Sequence, residues 1–480
     1  MIAPVLIGGT HVLADKEAII GELMDRARAA QKQVEKYTQE QIDLVCLAVG
    51  WQVYKDDNVA QLARAAVEET KMGVYEDKVA KHKAKILTLL RDLQGAKSVG
   101  LIERDETKGI SKYAKPVGVV GALTPVTNPT ATPASNALSI LKGRNAVIFA
   151  PHPKAKNSSK LAVDMMREGL RKVGAPEDLI QIIAEPSLEL TNELMKRVDL
   201  VVATGGAAMV KAAYSSGTPA YGVGPGNAVQ IIAEDADVPD AAQKIAMSKT
   251  FDNATSCSSE NSVIVHRDIY DAFLAELVKH NGYLCNAEEK KKLEGWMWVA
   301  NDKGHLALNP QIIARNATDI ARGAGFTVPE NTRMLLVEGE LPVAGEAFAQ
   351  EKISPVLTVW KCSDFMDAFK ILQELTDLAG TGHSCGIHTF KQEYVDFLAE
   401  NMHTSRIMVR QPQAQANGGS FFNGMPATVT LGCGTWGGNI TTENINYRHF
   451  INVTWVAEPI PVNKPTDEEI WGQFWARYGR

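Results

Sequence analysis

The sequence predicts an α/β fold of two successive units with a small β element near its C-terminal end. Three observations carry this reading. Short apolar runs, "VGVVGAL" (117–123), "AVIFA" (146–150), "LIQIIA" (179–184) and "DLVVAT" (199–204), are separated by amphipathic helical stretches. Parallel strands covered by helices on both faces have that texture. The alternation then restarts after Asn261, so a second unit follows the first. At 480 residues, 45% hydrophobic and 22% charged, the chain can bury a large core and divide into two or three domains.

The elements follow in order. Residues 15–95 read as helices because Ile19, Ile20, Leu23, Met24 and Ala27 recur at helical spacing. Thr38 with Gln41 fits a capping box, in which each side chain satisfies the other's free backbone N–H. The last of the four apolar runs meets "GGAAMVKAA", a strand–Gly–helix junction able to bring N–H groups to a phosphate; a plain tight turn explains the two glycines equally well. Beyond Asn261 come "SVIV", a helix over 268–281, helical material to about 322, "RMLLV" (333–337), "PVLTVW" (355–360), a helix over 363–375, "SCGIHTF" (384–390) and "SRIMV" (405–409). Residues 410–440 hold nine glycines or prolines and little periodicity, and a loop that long is more often functional than incidental. "FINVTWVA" (450–457) alternates strictly, with Ile451, Val453 and Trp455 on one face. Such a strand needs a partner sheet, and it reads as a strand of subunit association. Trp471, Phe474, Trp475 and Tyr478 form one face of a terminal helix capped by Thr466 and Glu469, with packing as the expected role.

Composition excludes several functions. A formal charge of −6 leaves no electrostatic footprint for nucleic acid. Six scattered cysteines form no CxxC pair and no zinc-like spacing, so neither a metal site nor a disulfide framework is expected, and reduced thiols in the cytoplasm are. "MIAPVLIGGTHV" lacks a basic leader region, and no run approaches the ~20 apolar residues of a membrane span.

Within "KTFDNATSCSSENSVIV" (249–265), Cys257 is surrounded by Thr255, Ser256, Ser258 and Ser259. Small hydroxyl neighbours suit a thiol that a substrate must reach, although an ordinary buried or loop cysteine accounts for the stretch on its own. Separated motifs decide the matter. "TPVTNPT" (124–130), "KGRNAVIFAPHPKAK" (142–156), "TGGAAMVKAAYSSGTPAYGVGPGN" (204–227), "SCSSEN" (256–261), "EKISPVL" (351–357) and "LGCGTWGGN" (431–439) stand in one order along the chain. Each is weak alone, and together they resemble the aldehyde dehydrogenase superfamily, specifically its CoA-acylating branch, over nearly the whole length.

The resemblance implies a Rossmann-type cofactor domain (1–240, with oligomerisation strands near 100–116), an α/β catalytic domain (241–440) and a C-terminal oligomerisation strand and tail helix (441–480). It implies a Cys257 thiolate attacking an aldehyde, with hydride passing to NAD or NADP. Oxyanion donors would be the Asn128 side chain and the Cys257 N–H. Glu351 resembles the residue that holds the nicotinamide ribose, and Gly205 would approach the pyrophosphate, with Pro125 on the cofactor side. The alternatives are a turn residue before Pro129 for Asn128 and a solvated loop carboxylate for Glu351. A homodimer or homotetramer is the expected assembly, and no alcohol dehydrogenase unit is expected after residue 480.

Departures from the family pattern are as informative. Hydrolytic members activate the deacylating water with a glutamate in a Glu-Leu-Gly-Gly segment, and here "GVGPGN" puts Val223 in its place. Without that base the acyl enzyme awaits a better nucleophile, such as the thiol of coenzyme A. Pro153 in "APHP" replaces a glutamate that would repel a 2′-phosphate, so His152 or Lys154 is free to bind one and the choice between NAD and NADP stays open. Within the branch, "GHSCGIH" and "YRHFINVTWVAEPIPVNKPTDEEIWG" are most similar to the enzymes of sulfoacetaldehyde and succinate semialdehyde, sulfoacetaldehyde being favoured. Arg410, Asn417 and Ser420, or N–H groups of the 410–424 loop, would recognise the anionic end. His383 would assist the CoA thiol or serve as a structural histidine. A hydrolytic aldehyde dehydrogenase and a scaffold without activity are the competing readings.

Overall fold

The computed structural model describes residues 9–300 and 306–480. The N-terminal stretch read as lacking a leader lies mostly outside them. Four helices open the chain: α1 (Gly9–Val34), α2 (Gln39–Gln52), α3 (Asp56–Thr70) and α4 (Tyr75–Leu93). The Thr38–Gln41 capping box at the start of α2 is formed in both directions.

Five apolar segments then build a parallel sheet: β3 (Val119–Thr124), β4 (Ala146–Pro151), β5 (Ile180–Ile182), β6 (Leu200–Thr204) and β7 (Ala220–Val223), in the order β5-β4-β3-β6-β7. β3 and β4 are buried at every position, which is why they read as unbroken apolar runs rather than alternating ones. The helices between them, α5 (Ala131–Lys142), α6 (Lys156–Lys172), α7 (Leu188–Arg197) and α8 (Ala207–Tyr214), pack on this sheet in one core with α1 and α2.

A seven-stranded sheet follows, in the order β10-β13-β14-β9-β8-β15-β16. Its members are β8 (Ala228–Ile232), β9 (Glu260–His266), β10 (Gly282–Leu284), β13 (Met334–Glu338), β14 (Val356–Cys362), β15 (Cys385–His388) and β16 (Ile407–Val409). Every pair in it is parallel. β8 belongs to this sheet, so the change of sheet comes before Ala228. The run at 228–232 is as apolar as the strands before it, and composition alone does not reveal which sheet claims it. Helical material was expected up to about 322, but β10 and the hairpin β11 (Trp298–Ala300) with β12 (Leu306–Leu308) interrupt it. Strands of three residues are too short to display a period of two.

The strictly alternating β17 (Ile451–Ala457) finds its partner inside the chain. It pairs antiparallel with β2 (Ile110–Pro116), which pairs with β1 (Gly100–Asp105), leaving β17 at an edge. The terminal helix Asp467–Tyr478 has its Thr466–Glu469 capping box, but its apolar face, Trp471, Phe474 and Tyr478, is exposed rather than packed.

Candidate active site

The two sheets meet end to end. Asn128 follows the carboxyl end of β3, His152 that of β4, and Gly205 that of β6, while Val223 ends β7. Cys257 precedes the amino end of β9, His383 that of β15, and Glu351 that of β14. Between them lies a cleft of about 520 Å³ that exposes Pro125, Asn128, His152, Gly205, Val223, Cys257, Glu351 and Ser420 on its walls. A crevice outside the carboxyl ends of parallel strands is where open α/β sheets bind ligands.

Cys257 sits on a strained turn. Just after the helix α9 (Val238–Thr250), Asp252, Asn253 and Ala254 have φ of 51°, 52° and 59°. Left-handed backbone in non-glycine residues costs of order 1–3 kcal/mol each and persists only when its surroundings enforce it. Here the enforcing group is the buried Asp252 carboxylate. It accepts from the Val74 N–H at 2.9 Å, from Lys78 Nζ at 3.1 Å, from Lys81 Nζ at 2.5 Å and from Thr255 Oγ1 at 2.7 Å. Opposite the nucleophile, a Cβ on Gly226 would lie 2.2 Å from the Cys257 carbonyl oxygen, so only glycine lets "GVGPGN" pass this close.

The thiol has a partner. His383 Nε2 lies 3.1 Å from Cys257 Sγ, and His383 Nδ1 lies 2.9 Å from Ser384 Oγ. A chain of hydrogen bonds backs the histidine. Gln413 Nε2 donates to the Val229 carbonyl at 3.1 Å, which leaves Gln413 Oε1 to accept from Asn417 Nδ2 at 3.2 Å. Asn417 Nδ2 also donates to Ser384 Oγ at 3.0 Å, and the hydroxyl keeps both a lone pair and its own O–H to pair with His383 Nδ1. With the ring proton on Nδ1, Nε2 is free to accept from the thiol. Burial pushes the His383 imidazole down to about 3, with Arg406 adding to the effect, so it is neutral near physiological pH. Burial, then the nearby Glu351, pushes the Cys257 thiol up to about 12. The resting pair is therefore thiol and neutral imidazole, within hydrogen-bond reach of each other.

Asn128 accepts from Lys81 Nζ through Oδ1 at 2.9 Å, which turns its amide N–H groups away from the lysine. The Cys257 N–H has no hydrogen-bond partner among the described residues. Asn128 and Cys257 line the same cleft, and their N–H groups are the candidate donors for a developing oxyanion.

On the other wall, α8 begins at Gly206 with no side-chain cap, leaving helix N–H groups free beside Gly205. Glu351 and the buried Lys249 line a narrow recess with Cys257; burial pushes the carboxyl up to about 8 and the ammonium down to about 7. His152 lines the cleft, and its Nδ1 accepts from the Lys154 N–H at 3.1 Å. Lys154 itself is exposed beside Pro153 and is not among the cleft-lining residues.

The substrate side differs from expectation. Arg410 follows the carboxyl end of β16, whereas His383 precedes the amino end of the neighbouring β15, so a strand's length separates them. Its guanidinium donates to the Thr389 carbonyl at 2.6 Å and stacks 4.7 Å from the Phe390 ring centroid. Arg410 is thus outside the cleft. Asn417 is fully buried behind His383, where it holds Ser384 instead of facing the cleft. Ser420 does line it. The sequence reading missed Lys81 and Lys85, which project into the cleft from α4. In "DKVAKHKAK" they sit in a run of alternating lysines that reads as a solvated face, and no local signal marks them.

The aldehyde dehydrogenase family model matches residues 9–293. The chain belongs to the aldehyde dehydrogenase family. Relatives carry the similarity across almost the whole chain, as the ordered motifs anticipated. It is 65% identical over 449 residues to a sulfoacetaldehyde dehydrogenase of Acholeplasma sp., covering 94% of this chain and 93% of that one. It is 60% identical over 461 residues to the acylating sulfoacetaldehyde dehydrogenase of Bilophila wadsworthia, covering 96% and 99%. Among solved structures, an acetylating aldehyde dehydrogenase from Geobacillus thermoglucosidasius superposes with a TM-score of 0.90 at 35% identity, covering 94% and 99%. A propionaldehyde dehydrogenase from Rhodopseudomonas palustris with bound propionyl-CoA gives 0.83 at 26%, covering 92% and 94%. This aldehyde dehydrogenase therefore shares its fold with an acetylating aldehyde dehydrogenase over 94% of its length.

Proposed function

We propose that this aldehyde dehydrogenase converts sulfoacetaldehyde and coenzyme A to sulfoacetyl-CoA, reversibly, through a thioester on Cys257. The observation that carries the reading is the composition of the cleft around the nucleophile. His383 is positioned to take the Cys257 proton, Val223 stands where a hydrolytic enzyme needs a carboxylate, and the relatives named above are sulfoacetaldehyde dehydrogenases.

In this reading the thiolate attacks the aldehyde carbon while Asn128 Nδ2 and the Cys257 N–H stabilise the oxyanion. A nicotinamide cofactor, when bound, supplies the hydride acceptor. The free N–H groups at the start of α8 suit its pyrophosphate and the Glu351 carboxylate suits two ribose hydroxyls, so the residues present fit the group. Pro153 leaves both NAD and NADP admissible, with His152 on the cleft wall as the candidate for a 2′-phosphate. Water attacks the resulting thioester slowly because Val223 supplies no carboxylate where hydrolytic members activate it, and the CoA thiol, its proton passing to His383, takes the acyl group instead.

Succinate semialdehyde, also a short aldehyde with an anionic end, is the second substrate to test. The exposed edge of β17, with Val453, Trp455 and Val456 at the surface, supports a homodimer or homotetramer. Six free thiols fit a reducing cytoplasm, and no described helix is long and apolar enough to cross a membrane. The deciding experiment incubates the protein with each aldehyde, CoA and NAD or NADP, following reduced nicotinamide and identifying the product by mass. Sulfoacetyl-CoA as the preferred product supports the reading; free acid formed equally fast without CoA overturns it.

A further inference from the structure

Three lysines of α4 turn inward, and their surroundings differ. Lys78 and Lys81 share the buried Asp252 carboxylate at 3.1 and 2.5 Å. Lys85, one turn further on, lines the same cleft as Cys257 but has no carboxylate within 4.0 Å among the described residues. Its Nζ donates to the Gly418 carbonyl at 3.2 Å, and that single bond leaves two of its three N–H groups without a protein acceptor. Glu351 is the one carboxylate among the cleft-lining residues, and it lies in the recess with Lys249. The end of the cleft formed by α4 and the 414–428 loop thus carries an uncompensated positive charge. A half-buried ammonium without a counterion is costly to maintain, and a cleft is where such a cost points to a ligand.

We propose that Lys85 recognises the anionic end of the aldehyde, so that the cleft selects short aldehydes bearing a sulfonate or carboxylate. The assignment rests on the acyl-transfer reading above for where the carbonyl sits. Ser420 supports it from the adjoining 414–428 loop. Its Oγ accepts from the Phe422 N–H at 3.3 Å, which leaves its own O–H to donate to an anion. The role moves the anion contact from Arg410, which the sheet holds away from the site, to a cleft-lining residue of α4. Burial pushes the Lys85 ammonium down to about 8, with Lys81 beside it acting in the same sense; a bound anion acts in the opposite one.

The test compares wild type with Lys85→Met, which keeps the length and removes the charge, and Lys85→Arg, which restores it. The quantity read is the ratio of kcat/KM for sulfoacetaldehyde to that for propanal. A charge-assisted hydrogen bond corresponds to about a 10- to 100-fold fall in this ratio for Lys85→Met, with partial recovery in Lys85→Arg. An unchanged ratio overturns the proposal, even where both efficiencies fall together. A second measurement needs no turnover: calorimetric binding of 2-hydroxyethanesulfonate, which carries the same sulfonate. Binding at least about tenfold weaker in Lys85→Met supports the anchor, and equal binding refutes it. If wild type binds the sulfonate through Lys85 yet makes no acyl-CoA from any aldehyde, the acyl-transfer reading fails while the anion site stands.

Discussion

Replacing His383 with Ala tests the proton path to the nucleophile. With Nε2 at 3.1 Å from Sγ, the imidazole is the proposed acceptor of the thiol proton as attack proceeds. Without it, Cys257 must ionise unaided, and its thiol is pushed up to about 12. At pH 8 a group with that pKa is ionised to only about one part in ten thousand, and a positioned general base typically contributes 10²–10⁴-fold. The burst of reduced nicotinamide from the first turnover should therefore slow by about 10²–10⁴ in His383→Ala, as read by stopped flow. The pH dependence separates a base from a packing group. Wild-type burst rates should be nearly flat between about pH 6 and 8, because an imidazole pushed down to about 3 is neutral throughout. The variant's rate should climb about tenfold per pH unit, following the thiolate fraction. Ser384→Ala, which removes the hydroxyl paired with His383 Nδ1, should cost about fivefold, the worth of one neutral hydrogen bond. A His383→Ala burst within threefold of wild type, with the same flat profile, would show that the imidazole is not the base.

Four further outcomes follow from the same geometry. Cys257→Ala should abolish reduced-cofactor formation while nucleotide binding, measured by calorimetry, stays nearly intact; substantial turnover would instead move the nucleophile to Cys433. Without CoA, wild type should release about one equivalent of reduced cofactor per site and then continue about 10²–10⁴ more slowly, since Val223 supplies no base to water; mass spectrometry should find the acyl group on Cys257. Asp252→Asn should destabilise the fold by about 3–5 kcal/mol in denaturant titrations, because it leaves Lys78 and Lys81 buried without their counterion. Burial opposes the Asp252 charge, yet the two lysines hold its pKa below the usual carboxylate range, so its stabilisation is full above the unfolded pKa and is lost as pH falls through the folded one. Finally, the sulfoacetaldehyde-to-propanal ratio should decline as pH rises above about 8, as Lys85 loses its proton; Lys81 on the same helix and Cys257 across the cleft are the titratable groups that face it.

How far the sequence could be read depends on what each residue's neighbours in the chain disclose. β3 and β4 announced themselves as continuous apolar runs because both faces are covered, and Cys257, Asn128, Gly205 and Glu351 stood in motifs whose order is itself informative. The structure brings all four to one cleft. Arg410 misled for a physical reason. A guanidinium beginning a long glycine-rich loop reads as an anion contact, but only the parallel register of β15 and β16 shows that it leaves the sheet at the end opposite Cys257. Asn417 misled differently: it is seven residues further along the loop, which by then has turned inward to Ser384. Lys81 and Lys85 were invisible because a lysine-rich helix reads as solvated until its inner face is seen to be buried against residues 170 or more positions away.

Those long-range contacts explain how separate segments act as one catalytic unit. Asp252 lies on the turn that presents Cys257, and its carboxylate binds Lys81 Nζ. The same ammonium donates to Thr255 Oγ1 at 2.6 Å, two residues before the nucleophile, and to Asn128 Oδ1 at 2.9 Å. One cation thus fixes the orientation of the amide and the position of the turn together. With Oδ1 occupied, the Asn128 amide cannot rotate its oxygen toward the cleft, where an oxygen would repel the developing oxyanion. The nearby positive charge also draws electron density toward Oδ1 and makes the amide N–H a stronger donor. Donors set in place before reaction cost no reorganisation when charge develops, and an oxyanion-hole donor is worth about 2.7–4 kcal/mol. On this argument the backbone strain at residues 252–254 is what the fold tolerates to hold thiol and amide in register, and the Asp252–Lys81 pair is what enforces it.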